Sequence, residues 1–574
     1  MADVEELLRR RLAPAFEAVA GQPVDPAIRR SQHADFQSDA ALALVRRLGG
    51  NPRDIAARVV ERAELGDLCS TVEISGPGFI NLTLSDEALG RLLAETTADE
   101  RLGVPRAERP QTVTVDYSAP NAAKEMHVGH LRSTIIGDAA VRLLEFCGHT
   151  VIRQNHLGDW GTPFGMLVEH LLDIGEAEAA HELSVGDLNG FYQAARRKFD
   201  ADETFQERSR RRVVLLQSGD EATLRLWRML ITESQKYFLA VYELLGARLD
   251  ENDFYGESYY NDQLESVVDE LAELGLLRDS EGAKCVFPEG FTGRDGDPLP
   301  LIVRKSDGGF GYPATDLATI RHRLRKLHAT RLLYVVGLPQ RMHLSMIFKT
   351  AEEAGWLTPP ARAEHIGFGS VLGSDGKILR TRAGASVKLV DLLEEAVTRA
   401  SAIVADKNPD LDPETRAAVA RAVGIGAVKY ADLSTDRVKD YVFDYDRMLS
   451  FDGNTAPYLQ YARARICSIF RRGGVEPPRD VAPLTLTEPT ERALALQLLG
   501  FEGLVAQVAE NLEFHRLAQY LYSVASAFTS FYENCPVLNA EGDVRTARLV
   551  LCDLTARTLK LGLDLLGIES PDQM

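Results

Sequence analysis

Residues 112–153 constrain the fold of this chain more than any other stretch. Thr112-Val113-Thr114-Val115-Asp116-Tyr117 alternates apolar and polar side chains at period two, as a strand does. Ile135, Ile136, Ala139, Ala140, Leu143 and Leu144 then share one helical face closed by Gly148, and Thr150-Val151-Ile152-Arg153 resumes β character. Strand, helix and strand in that order make a βαβ unit, whose two strands run parallel in one sheet. Leu332-Leu333-Tyr334-Val335-Val336 reads as a further buried strand, followed by a helix near Leu344 to Ala354 and a strand around His365 to Phe368. Between Phe164 and Leu277 the pattern is long, helical and charged, which predicts an insertion into the sheet domain.

The flanks differ in kind. From Val4 to about Arg106, short helical patterns surround a turn-rich strand, Val72 to Leu82, whose Gly76-Pro77-Gly78 interrupts an alternating pattern; this predicts a small α+β domain. After about Ser386 nearly everything reads as amphipathic helix, notably Tyr458 to Phe470, Arg492 to Asn511, Arg516 to Tyr532 and Arg545 to Leu566. The length of 574 residues allows about three or four folded units. The expected division is 1–108, 109–385 with a helical insertion at about 164–277, a helical connection at 386–456 and a helical bundle at 457–574. A net charge of −19 argues against polyanion binding over the whole surface and leaves room for local basic patches. The six cysteines form no CxxC pair, so neither a zinc ribbon nor a disulfide framework is expected, and reduced thiols suit a cytoplasmic protein. No apolar run reads as approaching the roughly 18 residues that cross a bilayer, and residues 1–20 read as no address tag.

The densest chemical signal is Ser118-Ala119-Pro120-Asn121-Ala122-Ala123-Lys124-Glu125-Met126-His127-Val128-Gly129-His130, between the first strand and the helix that follows. A helix N-terminus after a parallel strand offers free N–H groups and partial positive charge to phosphate. Gly129 allows close approach of a nucleotide, and two imidazoles can donate to phosphate oxygens. A capping histidine pair or a metal site would use the same letters, but no third ligand cluster accompanies them, so no metal-ligating residues are expected. His365-Ile366-Gly367 repeats three of the letters within a strand pattern and reads as structural. Arg208 to Arg212 and Arg321 to Lys326 are basic runs that read better as solvated helix faces than as phosphate contacts.

The block from Ser118 to His130 resembles the HIGH signature of class I aminoacyl-tRNA synthetases, in the extended form of the arginyl-tRNA synthetases. His33-Ala34-Asp35-Phe36-Gln37, Gly76 to Asn81, Asn155 to Gly161, Tyr458 to Arg465 and the closing Leu566-Gly567-Ile568 with Met574 are similar to further segments of that family. Val371 to Arg382 stands where the second class signature, KMSKS, is found, without spelling it; Lys377 matches loosely, and Lys377, Arg380 and Arg382 could equally be a solvated basic loop. The resemblance implies that Lys124 supplies the missing charge, that His127, His130 and Lys124 carry catalysis, and that Lys124, His127, Gly129, His130, Lys377 and Arg380 bind ATP with Mg²⁺. It assigns Asp116, Ser118, Asn121 and His130 to the head group of arginine, and Tyr312, Asp316 and Gln340 to its side chain. A carboxylate can meet the planar guanidinium bidentately. Asp316 could otherwise cap the helical pattern that follows it, and Leu338-Pro339 departs from the family's usual polar pair before Gln340. For tRNA(Arg), the resemblance implies Phe36 and Gln37 at the D-loop, and Tyr458, Tyr461, Arg465 and Met574 at the anticodon; tyrosines spaced i, i+3 could equally be core.

The implied architecture is α/β: a Rossmann-type parallel-sheet catalytic domain, an N-terminal α+β domain and a C-terminal all-helical bundle. The implied reaction joins L-arginine to ATP as arginyl-adenylate and then transfers it to the 3′ end of tRNA(Arg), by a monomer without membrane contact. A paralogue serving a non-translational pathway, or a noncatalytic tRNA-binding relative, would share most of these features. Intact HVGH, Lys124 and Asp316 speak against the noncatalytic relative.

Overall fold

The computed structural model describes residues 3–176, 178–179, 188–380 and 387–574, which fall into two compact units. One comprises Ala107–Ala402 and Ala431–Met448; the other comprises Met1–Arg106, Ile403–Tyr430 and Leu449–Met574.

The N-terminal part of the second unit is an α+β fold. In chain order it holds α1 (Val4–Ala20), β1 (Ile28–Arg30), β2 (Phe36–Ser38), α2 (Ala40–Leu48), α3 (Pro52–Arg62), β3 (Cys69–Ser75), β4 (Phe79–Leu84) and α4 (Asp86–Ala98). The strands form an antiparallel sheet in the order β1-β2-β4-β3. The interruption read at Gly76 to Gly78 is the hairpin turn between β3 and β4. Gly78 has φ +138°, and a Cβ there would lie 2.9 Å from the backbone of Pro52, so two constraints demand glycine.

The other unit holds the parallel sheet. Strands β5 (Thr112–Asp116) and β6 (Thr150–Gln154) flank helix α5 (Val128–Phe146) as the periodicity predicts. A helical stretch follows: α6 (Thr162–Ile174), α7 (Leu188–Ala201), α8 (Glu203–Gln217), α9 (Glu221–Leu245) and α10 (Asn261–Glu273). A small antiparallel sheet of β7 (Leu277–Ser280), β8 (Ala283–Val286) and β9 (Leu301–Arg304) comes next. Its strands have four residues each, too short for alternation to stand out from the surrounding polar sequence. Helix α11 (Tyr312–Arg325), β10 (Arg331–Tyr334), α12 (Arg341–Glu353) and β11 (Arg362–His365) complete the main fold, and β12 (Val371–Leu372) pairs with β13 (Tyr441–Val442).

The main sheet runs β11-β10-β5-β6 with every pair parallel. From β5 the chain crosses to β6 on one side, and from β10 to β11 on the other. The adjacent strands β5 and β10 therefore part company at their carboxyl ends, which is where open parallel sheets bind ligands. The loop carrying HVGH leaves β5 there, and Gly337 to His343 leave β10 beside it. Helix α5 lies close against the sheet at Gly137, whose absent Cβ would fall 2.3 Å from the Tyr117 side chain.

Helices make up most of the rest: α13 (Leu389–Lys407), α14 (Pro413–Leu433), α15 (Tyr445–Met448), α16 (Ala456–Gly473), α17 (Pro489–Leu498), α18 (Phe501–Asn511), α19 (Phe514–Asn534) and α20 (Gly542–Leu565). The helix expected from Arg492 to Asn511 is two, parted at Gly500. Contrary to the expectation from sequence, Pro489–Asn511 does have the length and apolar composition of a membrane span. Glu491 within it is buried and paired with Arg548 at 2.6 Å, an arrangement of a protein core. All six cysteines are free thiols.

Gly137→Ala gains about 1 kcal/mol of helix propensity but must displace the buried Tyr117, an overpacking cost of about 1–3 kcal/mol. A lowered thermal midpoint is the expected result; a raised midpoint would contradict the packing described.

Candidate active site

The loop between β5 and α5 is held in a costly shape. Ser118, Ala119 and Ala123 have φ of +71°, +45° and +59°, a region that side chains disfavour and that functional loops retain when neighbours enforce it. Three side chains do so through the backbone: Ser118 N–H donates to Ser133 Oγ (2.9 Å), Ala119 N–H to Asn155 Oδ1 (3.0 Å) and Ala123 N–H to Ser234 Oγ (2.8 Å). Tyr242 Oη joins Ser118 Oγ and Asn155 Nδ2, each at 2.8 Å. Ser234 and Tyr242 lie on α9, so the helical stretch clamps the signature loop. The sequence reading missed both residues, whose only trace is that they fall on the buried face of their helix.

The two signature histidines cap α5 reciprocally. Gly129 N–H donates to His127 Nδ1 (3.0 Å) and His127 N–H donates to His130 Nδ1 (3.1 Å). The rings lie 4.1 Å apart. With Val128 N–H donating to Val387 O and His130 N–H to His127 O, the first-turn donors expected to be free for phosphate are engaged within the protein. The expectation of a bare helix terminus is thus corrected. Since both Nδ1 atoms accept, each neutral ring carries its proton on Nε2 and can donate it outward. Burial, then the neighbouring His127 ring, pushes the His130 pKa down to about 3; burial and then Lys124 also lower that of His127. These rings therefore act as neutral donors rather than cations. A Cβ at Gly129 would lie 2.7 Å from the His127 ring, so the cap itself favours glycine there.

Lys124, half-buried, places its ammonium 4.3 Å from the centre of the Tyr192 ring on α7. Asn121 is exposed beside it, bridged to Gly158. Lys377 and Arg380 are exposed on the turn after β12, and Arg382 lies outside the described residues. Seven residues past Arg380 the chain lies against HVGH: Val128 N–H donates to Val387 O and Leu389 N–H to Met126 O, both 3.0 Å, and Lys388 pairs with Glu125. Residues 387–389, at the start of α13, are thus joined to the HVGH turn by paired backbone.

The acidic pocket gathers at the N-terminal end of α11. Tyr312 is 73 % exposed on its first turn, and with Thr315, Glu257, Trp160, Trp227 and Lys305 it lines a cavity of about 570 Å³. Asp316 follows Thr315, and its Oδ2 lies 2.6 Å from His343 Nε2 on the first turn of α12, three residues from the exposed Gln340. Asp316 is therefore not an N-cap, a place held by Gly311. Glu257 was not anticipated. Burial, then the Asp159 and Asp316 carboxylates, raises its pKa to about 8. No sequence signal marked it, because a lone Glu has no periodic or motif signature.

Two expectations about the head-group residues change. The Ser118 hydroxyl is buried between Tyr242 and Thr134, so this side chain shapes the loop instead of reaching a substrate. Asp116 Oδ2 accepts from the fully buried Arg323 at 2.7 Å, so at least one of its oxygens is used internally. Arg323 lies seven residues after Asp316 on α11, two turns or about 10 Å along the axis, the scale of an extended long-chain amino acid. The other basic runs are ionic struts: Arg208 and Arg212 reach Asp173 and Glu169, and Arg321 and Arg325 reach Glu270. Among the described residues no group of three His, Cys, Asp or Glu side chains is placed to hold a metal ion.

In the unit that contains the termini, Phe36 is wholly buried with Arg30 stacked on its ring, so it cannot stack on a base; this corrects its assignment. Gln37, its neighbour on β2, faces the other side of the sheet, half-exposed and bonded to Asn81. On α16, Tyr461 is 47 % exposed, Tyr458 packs on Tyr522, and the Arg465 guanidinium lies 4.4 Å over Tyr532. Met574 is half-buried, its carbonyl accepting from Asn408 Nδ2 at 3.0 Å.

Three family models match the chain: the class I (R) tRNA synthetase catalytic domain over residues 93–445, the DALR anticodon binding domain over 459–574, and the arginyl tRNA synthetase N terminal domain over 2–84. An arginine–tRNA ligase of Thermobifida fusca is 59 % identical over the whole of both chains, and one of Frankia casuarinae is 54 % identical over 96 % of this chain and 95 % of its own. Among solved structures, the arginyl-tRNA synthetase of Plasmodium falciparum superposes with a TM-score of 0.86 at 30 % identity, and that of Thermus thermophilus with 0.81 at 27 %, each over the full length of both chains.

The cap geometry is directly observable. Nitrogen-15 spectra of histidine-labelled protein should show His130 as the neutral Nε2–H tautomer at pH 7 and still neutral at about pH 5, against an ordinary value of about 6.5; a protonated His130 at about pH 6 would contradict the burial described.

Proposed function

The chain belongs to the arginyl-tRNA synthetases of class I and joins arginine to tRNA at the expense of ATP; on that premise we propose how its residues divide the work. ATP lies with its phosphates against the loop and helix that follow β5. His127 and His130 donate Nε2–H to phosphate oxygens, and Lys124 and the basic turn at Lys377 and Arg380 offset the remaining charge. Mg²⁺ comes with the nucleotide, held by phosphate oxygens and water, as suits an ion that keeps much of its hydration shell.

Arginine lies across the switch point between β5 and β10. Asp116, braced by Arg323, and Asn121 face the α-ammonium and carboxylate end, beside His130. Tyr312 and Gln340 flank the guanidinium, while Asp316 and Glu257 supply the negative charge. Bringing a cation between these carboxylates lowers the Glu257 pKa from about 8, so the site is completed electrostatically by its substrate.

The arginine carboxylate oxygen attacks the α-phosphorus, the bond to the bridging oxygen breaks, and pyrophosphate leaves with the charge that the imidazole donors and lysine stabilise. A terminal ribose hydroxyl of the tRNA then attacks the arginyl carbonyl, losing its proton, and AMP departs. Neither step forms a covalent bond to the protein, so the contribution of the site is alignment and fixed dipoles. The single observation that carries this reading is the reciprocal cap, which engages both Nδ1 atoms and so leaves the proton of each neutral ring on Nε2.

We further assign residues 109–385, with the helical stretch at about 164–277, to activation. Residues 1–108 and 457–574 contact tRNA, through Gln37 on one surface and through Tyr458, Tyr461, Arg465 and Met574 on the other, joined by the helical segment 386–456. The enzyme works as a monomer in the cytoplasm.

ATP–pyrophosphate exchange in the presence of tRNA tests the assignment. His130→Ala removes one preorganised donor and should slow exchange by about 100-fold or more with little change in the arginine KM. Exchange within a few fold of the parent would remove His130 from the site. Asp316→Asn leaves a guanidinium facing an amide, a loss of about 2–5 kcal/mol, read as a rise of about 30-fold or more in the arginine KM; an unchanged KM would place the cation elsewhere.

A further inference from the structure

Asp316 is not alone before its substrate arrives. His343, at the start of α12, directs Nε2 to Asp316 Oδ2 at 2.6 Å, and the two side chains are 32 % and 27 % exposed. The hydrogen bond and charge of Asp316 raise the His343 pKa above its ordinary value. Other charged or ionisable groups near the pair are Glu257 and Lys305 at the adjoining cavity, Asp159 beside Glu257, Tyr334 on β10, and Arg341 on the same helix as His343.

We propose that His343 is a positioning residue for the arginine side chain: it holds the Asp316 carboxylate and serves as its counter-cation until a guanidinium takes that place, so that arginine enters as a proton leaves. The inference rests on the assignment of Asp316 to the guanidinium pocket. A carboxylate shared by two cations binds each less well than alone, and the partner that can discharge is the imidazolium. Its proton leaves Nδ1 for water, which the partly exposed ring can reach. The neutral ring keeps donating Nε2–H to Asp316, so the carboxylate stays in position while its charge passes to the substrate. An arginine or lysine at 343 would hold the carboxylate equally well but would remain as a competitor, which gives histidine a physical reason to be there.

The sign follows from linkage. With His343 protonated, arginine must displace a charge; with it neutral, it need not. Arginine affinity therefore rises with pH, by up to about tenfold per pH unit for one proton released. Glu257 also releases a proton when the cation binds, so its share must be separated.

Calorimetric titration of the full-length chain with L-arginine, from about pH 6 to about pH 8 in buffers of different ionisation enthalpy, counts the protons released. His343→Gln keeps a neutral N–H donor toward Asp316. It should release fewer protons than the parent, bind arginine several-fold more tightly than the parent at about pH 6 and within about twofold of it at about pH 8. Glu257→Gln should remove a separate share. A merely structural role for His343 would weaken binding at every pH and leave the slope unchanged. Equal proton release by His343→Gln and the parent would overturn the proposal. If instead Asp316→Asn retained the parent affinity, the pocket assignment itself would have failed. In the unsubstituted protein, the His343 ring resonance should titrate at lower pH once arginine is saturating; an unmoved titration would also overturn it.

Discussion

One buried ion pair ties the site together. Arg323 has no exposed surface, and it holds Asp116 at 2.7 Å and Gln154 at 3.1 Å, reaching the ends of β5 and β6 from helix α11. Tyr334 on β10 stacks against its guanidinium at 4.8 Å. Removing either charge would leave the other stranded in a low-dielectric interior, a cost of about 3–5 kcal/mol, so the pair is hard to lose once built. Because α11 also carries Tyr312 and Asp316, this contact fixes the distance between the acidic pocket and the strand that launches the HVGH loop.

Much of this was legible before any coordinates. Period-two and helical patterns located β5, α5, β6, β10 and α12, because buried strands and helices must repeat their apolar residues in register with the core. The short sheet β7–β9 was missed, since four-residue strands carry too few repeats to register. The HVGH block stands between strand and helix as its sequence pattern predicts, but local sequence does not show that His127 and His130 cap one another and spend the backbone N–H groups. Phe36 was misread for a simpler reason. On a short strand, alternation fixes that Phe36 and Gln37 face opposite sides but not which side is the core. Glu257, Tyr242 and His343 became visible only when distant segments met.

The loop's shape has a thermodynamic source outside itself. Three residues with positive φ cost about 1–3 kcal/mol each, and they persist because Ser133, Asn155 and Ser234 each accept a backbone N–H that would otherwise be lost in the interior. Two of the groups that enforce this shape, Ser234 and Tyr242, come from the helical stretch between the sheet strands, so that stretch belongs to the chemistry as much as to the scaffold.

The pairing of residues 387–389 with 126–128 anchors the start of α13 to the turn that opens α5. A substitution that loosened this stitch would therefore be felt at the histidine cap as well as at the start of α13.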